Sequence, residues 1–296
     1  MDQKKFGILI LIVSAMSFGT LGLWGKLAYN VGLTPLQLLA ARFTFSSIIL
    51  WIVGIVFFRK KLKITKNQLL FLFIQGGFLY TITSYAFFLS LQSLKVSLAT
   101  ILFFLHPIYT YFIIAFIVKK KVLLKKWIAL LISLAGIIMI VDVASLSMNT
   151  STIGMVYAIL AGLCYSIFTV NNDVNNNEIS SFISTLYIIT FSAVVVNILA
   201  GLQFERWLSF TTPQIGVVVG ISLIGTILGI LGYVIGIRLV GATTASVLSV
   251  FEPISGVILA FLFLDESIIP IQLLGMNIVL IAVYLIVTER KIIRKN

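Results

Sequence analysis

Ten apolar runs fill this chain, at residues 6–28, 36–58, 68–92, 96–118, 127–145, 152–172, 181–202, 214–238, 243–264 and 270–288. A helix that crosses the hydrocarbon core of a bilayer needs about 20 largely apolar residues. Lipid offers no partner for a backbone N–H or C=O, so a run of this kind must satisfy its own backbone as a helix. The pattern predicts an all-α integral membrane protein with ten transmembrane helices. Composition agrees, with 60% of residues hydrophobic, 10% charged and a mean hydropathy of +1.16. A soluble chain of this length needs far more polar surface to cover its core. The first run begins at Phe6 and is long enough to remain as a spanning helix, so no cleavable signal peptide is expected.

The runs repeat. Residues 94–118, LKVSLATILFFLHPIYTYFIIAFIV, and 240–264, VGATTASVLSVFEPISGVILAFLFL, align without a gap at an offset of 146. Ala99 falls on Ala245, Thr100 on Ser246, His106 on Glu252 and Pro107 on Pro253. The same offset places Ala129 on Gly275 and Gly136 on Ala282, and an offset of 147 places Gly7-Ile8-Leu9 on Gly154-Met155-Val156. The chain therefore divides into two units, 1–148 and 149–296, with five runs each. An odd number of crossings makes the second unit enter from the opposite side. The repeat is expected to be inverted, about a pseudo-two-fold axis in the membrane plane, as in many secondary transporters.

Positive charge tests the topology. With the N-terminus inside, the cytoplasmic segments hold Lys4, Lys5, Arg59, Lys60, Lys61, Lys63, Lys66, Lys119, Lys120, Lys121, Lys125, Lys126, Arg238, Arg290, Lys291, Arg294 and Lys295. The outer segments hold Lys26, Lys95 and Arg206, and seventeen against three is a strong positive-inside bias placing both ends in the cytoplasm. The expected cytoplasmic loop NNDVNNNE at 171–178 carries only acids, which matter little to this rule. The net charge of +12 is thus absorbed by orientation and by anionic lipid headgroups, with no soluble domain to present a nucleic-acid surface. The lone Cys164 excludes a disulfide within the chain, and a single His with a single Cys leaves no metal or cofactor site to expect.

The segments FGTLGLWGKLAYNVGLTPLQLLAARF, SLATILFFLHPIYTYFIIAFI, SVLSVFEPISGVILAFLFLDE and QLLGMNIVLIAVYLI together resemble the drug/metabolite transporter superfamily, and within it the EamA-like family of ten-helix permeases. The similarity covers essentially the whole chain, one family unit per half. It implies a bundle with a central cavity between the halves that moves small metabolites by alternating access. Relatives in this family handle amino acids and other small organic solutes, often as exporters. One departure is visible: where the family often carries Glu after the fourth helix, this chain has Lys119-Lys120-Lys121, and the equivalent acid survives only as Asp265-Glu266.

Ionisable residues within the apolar runs are the candidate transport site. His106, the sole histidine, lies near the middle of the fourth run, and Glu252 lies at the matching depth of the ninth. A charge at such depth costs about 2.5–3.5 kcal/mol on insertion scales, so it normally lines a cavity or finds a partner. Both precede proline, and Pro107 and Pro253 each remove a helix hydrogen bond and free a carbonyl a turn earlier. Two readings stand for each: a cavity-lining role, with His106 suited to carrying protons near neutral pH, or packing, with His106 bonded to Thr110 and Glu252 protonated. Arg42 lies roughly 9 Å from the outer end of the second run. It either snorkels to the headgroups or offers a guanidinium fork to a carboxylate. Arg42 and Glu252 together suit a zwitterion.

Glycine and aromatic residues complete the candidates. Gly19 and Gly22 in the first run, and Gly225, Gly229, Gly232 and Gly236 in the eighth, suit close helix packing or the hinge of a rocking motion. Trp24, Trp51, Trp127 and Trp207 lie towards run ends, as an interfacial belt requires. Tyr80, Tyr85, Phe103, Tyr109 and Tyr165 lie nearer run centres, and Trp24, Tyr80, Phe103, Tyr109 and Tyr165 are the candidates for an apolar wall. Tyr80 and Tyr85 point to different faces of one helix, so both are not expected there.

The leading expectation is a carrier of a small organic metabolite in a bacterial cytoplasmic membrane, with an amino acid or related zwitterion or amine favoured. Its partners are the lipid bilayer, the small-molecule substrate, and protons or a counter-solute. A channel or lipid-moving protein, an uptake carrier for another solute, and a membrane enzyme are the alternatives, the last with no nucleophile elbow or metal spacing to support it.

Overall fold

The structure, a computed structural model, describes residues 3–94, 96–140, 151–175, 179–201, 209–263 and 268–287. Lys95, Arg206, Trp207, Asp265, Glu266 and the basic residues from Arg290 onward lie outside the described residues. Among the described residues every regular element is helical. The first half carries α1 (Gln3–Asn30), α2 (Pro35–Phe57), α3 (Lys66–Ser93), α4 (Val96–Phe103), α5 (His106–Ile117) and α6 (Leu124–Ile140). The second carries α7 (Thr152–Val174), α8 (Ser181–Leu199), α9 (Thr212–Val240), α10 (Ala242–Leu248), α11 (Phe251–Phe263) and α12 (Pro270–Val287). Among the described residues, seven stretches are long and apolar enough to cross a bilayer: α1, α2, α3, α7, α8, α9 and α10–α11 read as one. α5 and α12 are shorter apolar helices.

Local chemistry sets the helix ends. Thr34 caps α2 and Thr65 caps α3 through capping boxes closed by Gln37 and Gln68. At the repeat offset, Ser180 caps α8, and the Gln214 side chain accepts the Thr211 N–H at the start of α9. The acidic stretch read as a loop from residue 171 is helical as far as Val174. Asn172 is buried there and donates to the Phe168 carbonyl, and Asp173 pairs with Lys120 at 3.4 Å, so the helix gains polar partners for its last turn.

Proline splits two rods at equivalent places. α4 stops at Phe103 and α5 restarts at His106, while α10 stops at Leu248 and α11 restarts at Phe251. Pro107 cannot donate to the Phe103 carbonyl, nor Pro253 to that of Ser249. The Ser249 carbonyl accepts from the Glu252 N–H at 2.9 Å instead. The Phe103 carbonyl faces α7, where Gly162 leaves room for it: a Cβ there would come within 2.7 Å.

Contacts between the halves come in pairs related by the sequence offset. Gly7 meets Leu239 where α1 crosses α9, and Gly154 meets Ser93 where α7 crosses α3. Ser46 of α2 donates to the Ser222 carbonyl of α9 at 3.2 Å, and its equivalent Ser192 of α8 donates to the Gly76 carbonyl of α3 at 2.8 Å. Both accepting carbonyls lie in π-helical turns, Ile74–Tyr80 of α3 and Ile221–Leu228 of α9, which match to within two residues of the offset. A wider turn misaligns backbone groups, and the serines help to satisfy them. A further π-helical turn, Ile113–Ile117, ends α5.

The α1–α9 seam is a ladder. Leu11 packs on Gly236, Ser14 on Gly232, Phe18 on Gly229, Leu21 on Gly225 and Trp24 on Gly220, in antiparallel order. Lipid tails drive no hydrophobic association between helices, so such close approach supplies the van der Waals contact that does. At the far side of the bundle α6 lies on α12, with Gly136 against the Gly275 carbonyl.

Candidate functional site

The packing leaves about 410 Å³ of empty space in a pocket that is partly open to the surface. Its polar handles are Arg42 of α2, Tyr80, Thr83 and Ser84 of α3, Tyr165 of α7 and Glu252 of α11. Phe18 and Leu21 of α1, Phe87 and Phe88 of α3, and Phe103 of α4 complete the wall. The cavity is thus predominantly aromatic with a few polar anchors, the common composition of a small-ligand site. Tyr80 faces it and Tyr85 does not line it.

Arg42 is 1% exposed and does not reach the headgroups. Its Nη2 donates to the Ser84 hydroxyl at 3.3 Å, and its guanidinium lies 4.5 Å from the Phe43 ring centroid and 5.5 Å from that of Phe88. Nε and Nη1 are buried without a hydrogen-bond partner among the described residues. No ion pair links Arg42 to Glu252 among the described residues, although both face the same space. Glu252 gets there because the break before α11 restarts the helix in register with α1. Gly19 permits that approach, since a Cβ on it would lie 2.6 Å from the Glu252 carbonyl.

His106 does not share the position expected from the repeat. It is fully buried, outside the cavity lining, with its ring against Phe103 (5.3 Å), Phe104 (5.5 Å) and Tyr165 (4.9 Å). Its Nε2 is 3.2 Å from the Ser249 hydroxyl, and Thr110, the partner suggested by helical spacing, has no hydrogen-bond partner among the described residues. The Ser166 hydroxyl donates to the His106 carbonyl at 2.8 Å. His106 therefore stands behind two wall residues and ties the two broken rods together.

The other candidates separate by position. Trp24 lies in the α1–α9 seam over Gly220, with its Nε1 buried and unpartnered among the described residues, not in a wet interfacial belt. Trp51 donates to Thr190 at 3.0 Å across α2 and α8. Tyr109 is partly exposed on α5 and does not line the cavity. Gly232 is held against Ser14 in the seam, while Gly22 has open space before it. Sequence reasoning missed Thr83, Ser84, Phe87 and Phe88, although they follow the candidate Tyr80 at helical spacings of three, four, seven and eight. It also missed Ser249, three residues before Glu252, and Ser166, whose bond to the His106 carbonyl has no signal in the sequence.

The described residues form a bundle of apolar helices around a pocket lined by one cation and one acid, which fits a multi-pass membrane protein. The chain belongs to the EamA-like transporter family, whose pattern matches residues 5–142 and again 152–288. It is similar to an uncharacterized transporter of Clostridium kluyveri, 25% identical over 290 residues covering 96% of this chain and 91% of that one. An uncharacterized transporter of Synechocystis sp. is 24% identical over 218 residues, or 72% of this chain and 65% of the relative. A crystal structure of a protein with 15% identity shares the fold, with a TM-score of 0.77 over 95% of this chain and 96% of the other.

Proposed function

We propose that the protein is a secondary transporter for a small organic metabolite, an amino acid or related zwitterion or amine, in the cytoplasmic membrane of a bacterium. It has ten crossings with both ends cytoplasmic, formed by two inverted five-helix units, 1–148 and 149–296. The cavity between them opens alternately to each side, and movement is exchanged against protons or a counter-solute. The paired contacts at the repeat offset and the two family matches support the division. One observation carries the substrate reading: Arg42 and Glu252, of opposite formal charge, face one aromatic-walled space. A molecule with a carboxylate and an amine can satisfy both groups without bringing net charge into the bundle.

Counterflow in proteoliposomes tests it. Vesicles preloaded with unlabelled amino acids should accumulate labelled amino acid saturably, and Glu252→Gln should lower the rate at least about tenfold, as expected for one lost charge-assisted contact. Flux that grows linearly with concentration, or movement of labelled lipid alone, would replace the carrier by the channel or lipid-moving reading.

A further inference from the structure

We infer that Arg42 is the anchor for a substrate carboxylate, so that the cavity requires an organic acid group and rejects amines that lack one. The inference rests on the carrier reading above and narrows it.

The repeat supplies an internal control. At the offset of 146, Arg42 corresponds to Ile188, and the two sit in equivalent surroundings. The Ser222 hydroxyl donates to the Arg42 carbonyl at 3.1 Å on one side of the bundle, and Gly76 closes directly on the Ile188 backbone on the other. Ile188 is fully buried, so the architecture accepts an aliphatic side chain at this position. A guanidinium is therefore not demanded by packing.

It is also not neutralised. The side chains that reach it, Ser84 at 3.3 Å and Tyr80, carry neutral hydroxyls, its flanks are aromatic faces, and no geometric hydrogen bond takes Nε or Nη1 among the described residues. A buried charge with unused donors is strongly destabilising unless something completes it. Nε and a terminal nitrogen form one edge of the planar fork, the edge that takes a carboxylate through two parallel hydrogen bonds. Ser84 accepts one of the two hydrogens of Nη2 and acts as a positioning residue. An ammonium offers donors only and cannot serve this edge.

The experiment is a thermal-shift panel on the purified full chain with three sets of probes sharing carbon skeletons: amino acids, their decarboxylated amines, and their deaminated acids. Carboxylate-bearing probes should stabilise the wild type and the amines alone should not. In Arg42→Ile those shifts should vanish while the unliganded melting temperature stays level or rises. Arg42→Lys, which keeps charge but not the fork, should weaken the same probes roughly 10- to 100-fold. Stabilisation by an amine, or acid shifts that survive Arg42→Ile, overturns the carboxylate assignment and leaves the carrier reading intact. An unliganded Arg42→Ile that melts well below the wild type makes the arginine structural and also overturns it. A wild type blind to all three sets overturns both readings.

Discussion

Gly22 and Gly76 show how differently one residue type is used. A Cβ on Gly76 would run into the backbone of Ile188, with the Ile188 Cα only 2.7 Å away, and backbone cannot swing aside. A Cβ on Gly22 would meet nothing within 4 Å. Gly76→Ala should therefore destabilise by about 1–3 kcal/mol, the ordinary cost of overpacking. Gly22→Ala should leave stability level or raise it, since glycine within a helix costs roughly 0.5–1 kcal/mol against alanine. Melting curves of both variants in one detergent check the contrast, and equal losses would refute it. Residue identity was legible here and residue surroundings were not. The chain announces two charges and a histidine inside apolar runs, but not that Arg42 turns inward to Ser84 or that His106 stands behind Phe103 and Tyr165. Those directions depend on the neighbouring helices, which no local pattern encodes.

At the scale of elements, the legible part was the part with chemistry of its own. Proline marked both rod breaks, and glycines spaced by three or four marked the close face of α9. The π-helical turns were not legible, because a widened turn leaves no required residue type. The turn of α3 ends at Tyr80, and Thr83, Ser84, Phe87 and Phe88 line the cavity with it at ordinary helical spacing. The α1–α9 ladder makes a prediction at this scale. Gly236 is pressed against the Leu11 side chain, so Gly236→Ala should cost about 1–3 kcal/mol alone. In a double-mutant cycle with Leu11→Ala the combined loss should be smaller than the sum, because the shortened side chain makes room. Strict additivity in denaturation would show that the two helices separate there.

Across the whole molecule, positions related by the sequence offset differ in polarity. The Thr169 and Tyr233 hydroxyls meet at 3.0 Å, and their equivalents across the offsets are Gly22 and Phe87, which cannot form such a bond. His106 meets the Ser249 hydroxyl, and their equivalents are Glu252 and Phe103, both on the cavity wall. One side of the bundle is pinned by hydroxyls and the other is left open. On the alternating-access reading, removing the pins should depopulate the present state. Thr83 is buried in this state, so Tyr233→Phe with Ser249→Ala should speed maleimide labelling of a cysteine introduced by Thr83→Cys, in a Cys164→Ser background, by roughly 3- to 10-fold, taking about 0.6 kcal/mol per bond. Unchanged labelling would show that the pins do not hold the conformation.

The matched π-helical turns carry a consequence of a different kind. On the two-unit division proposed above, a backbone defect at the same place in both units is more economically inherited once than acquired twice. The defect then predates the fusion, in an ancestor whose two identical copies met in opposite orientations about a two-fold axis. On the carboxylate reading, Arg42 at the position matched by Ile188 marks the copy that kept the work of recognition.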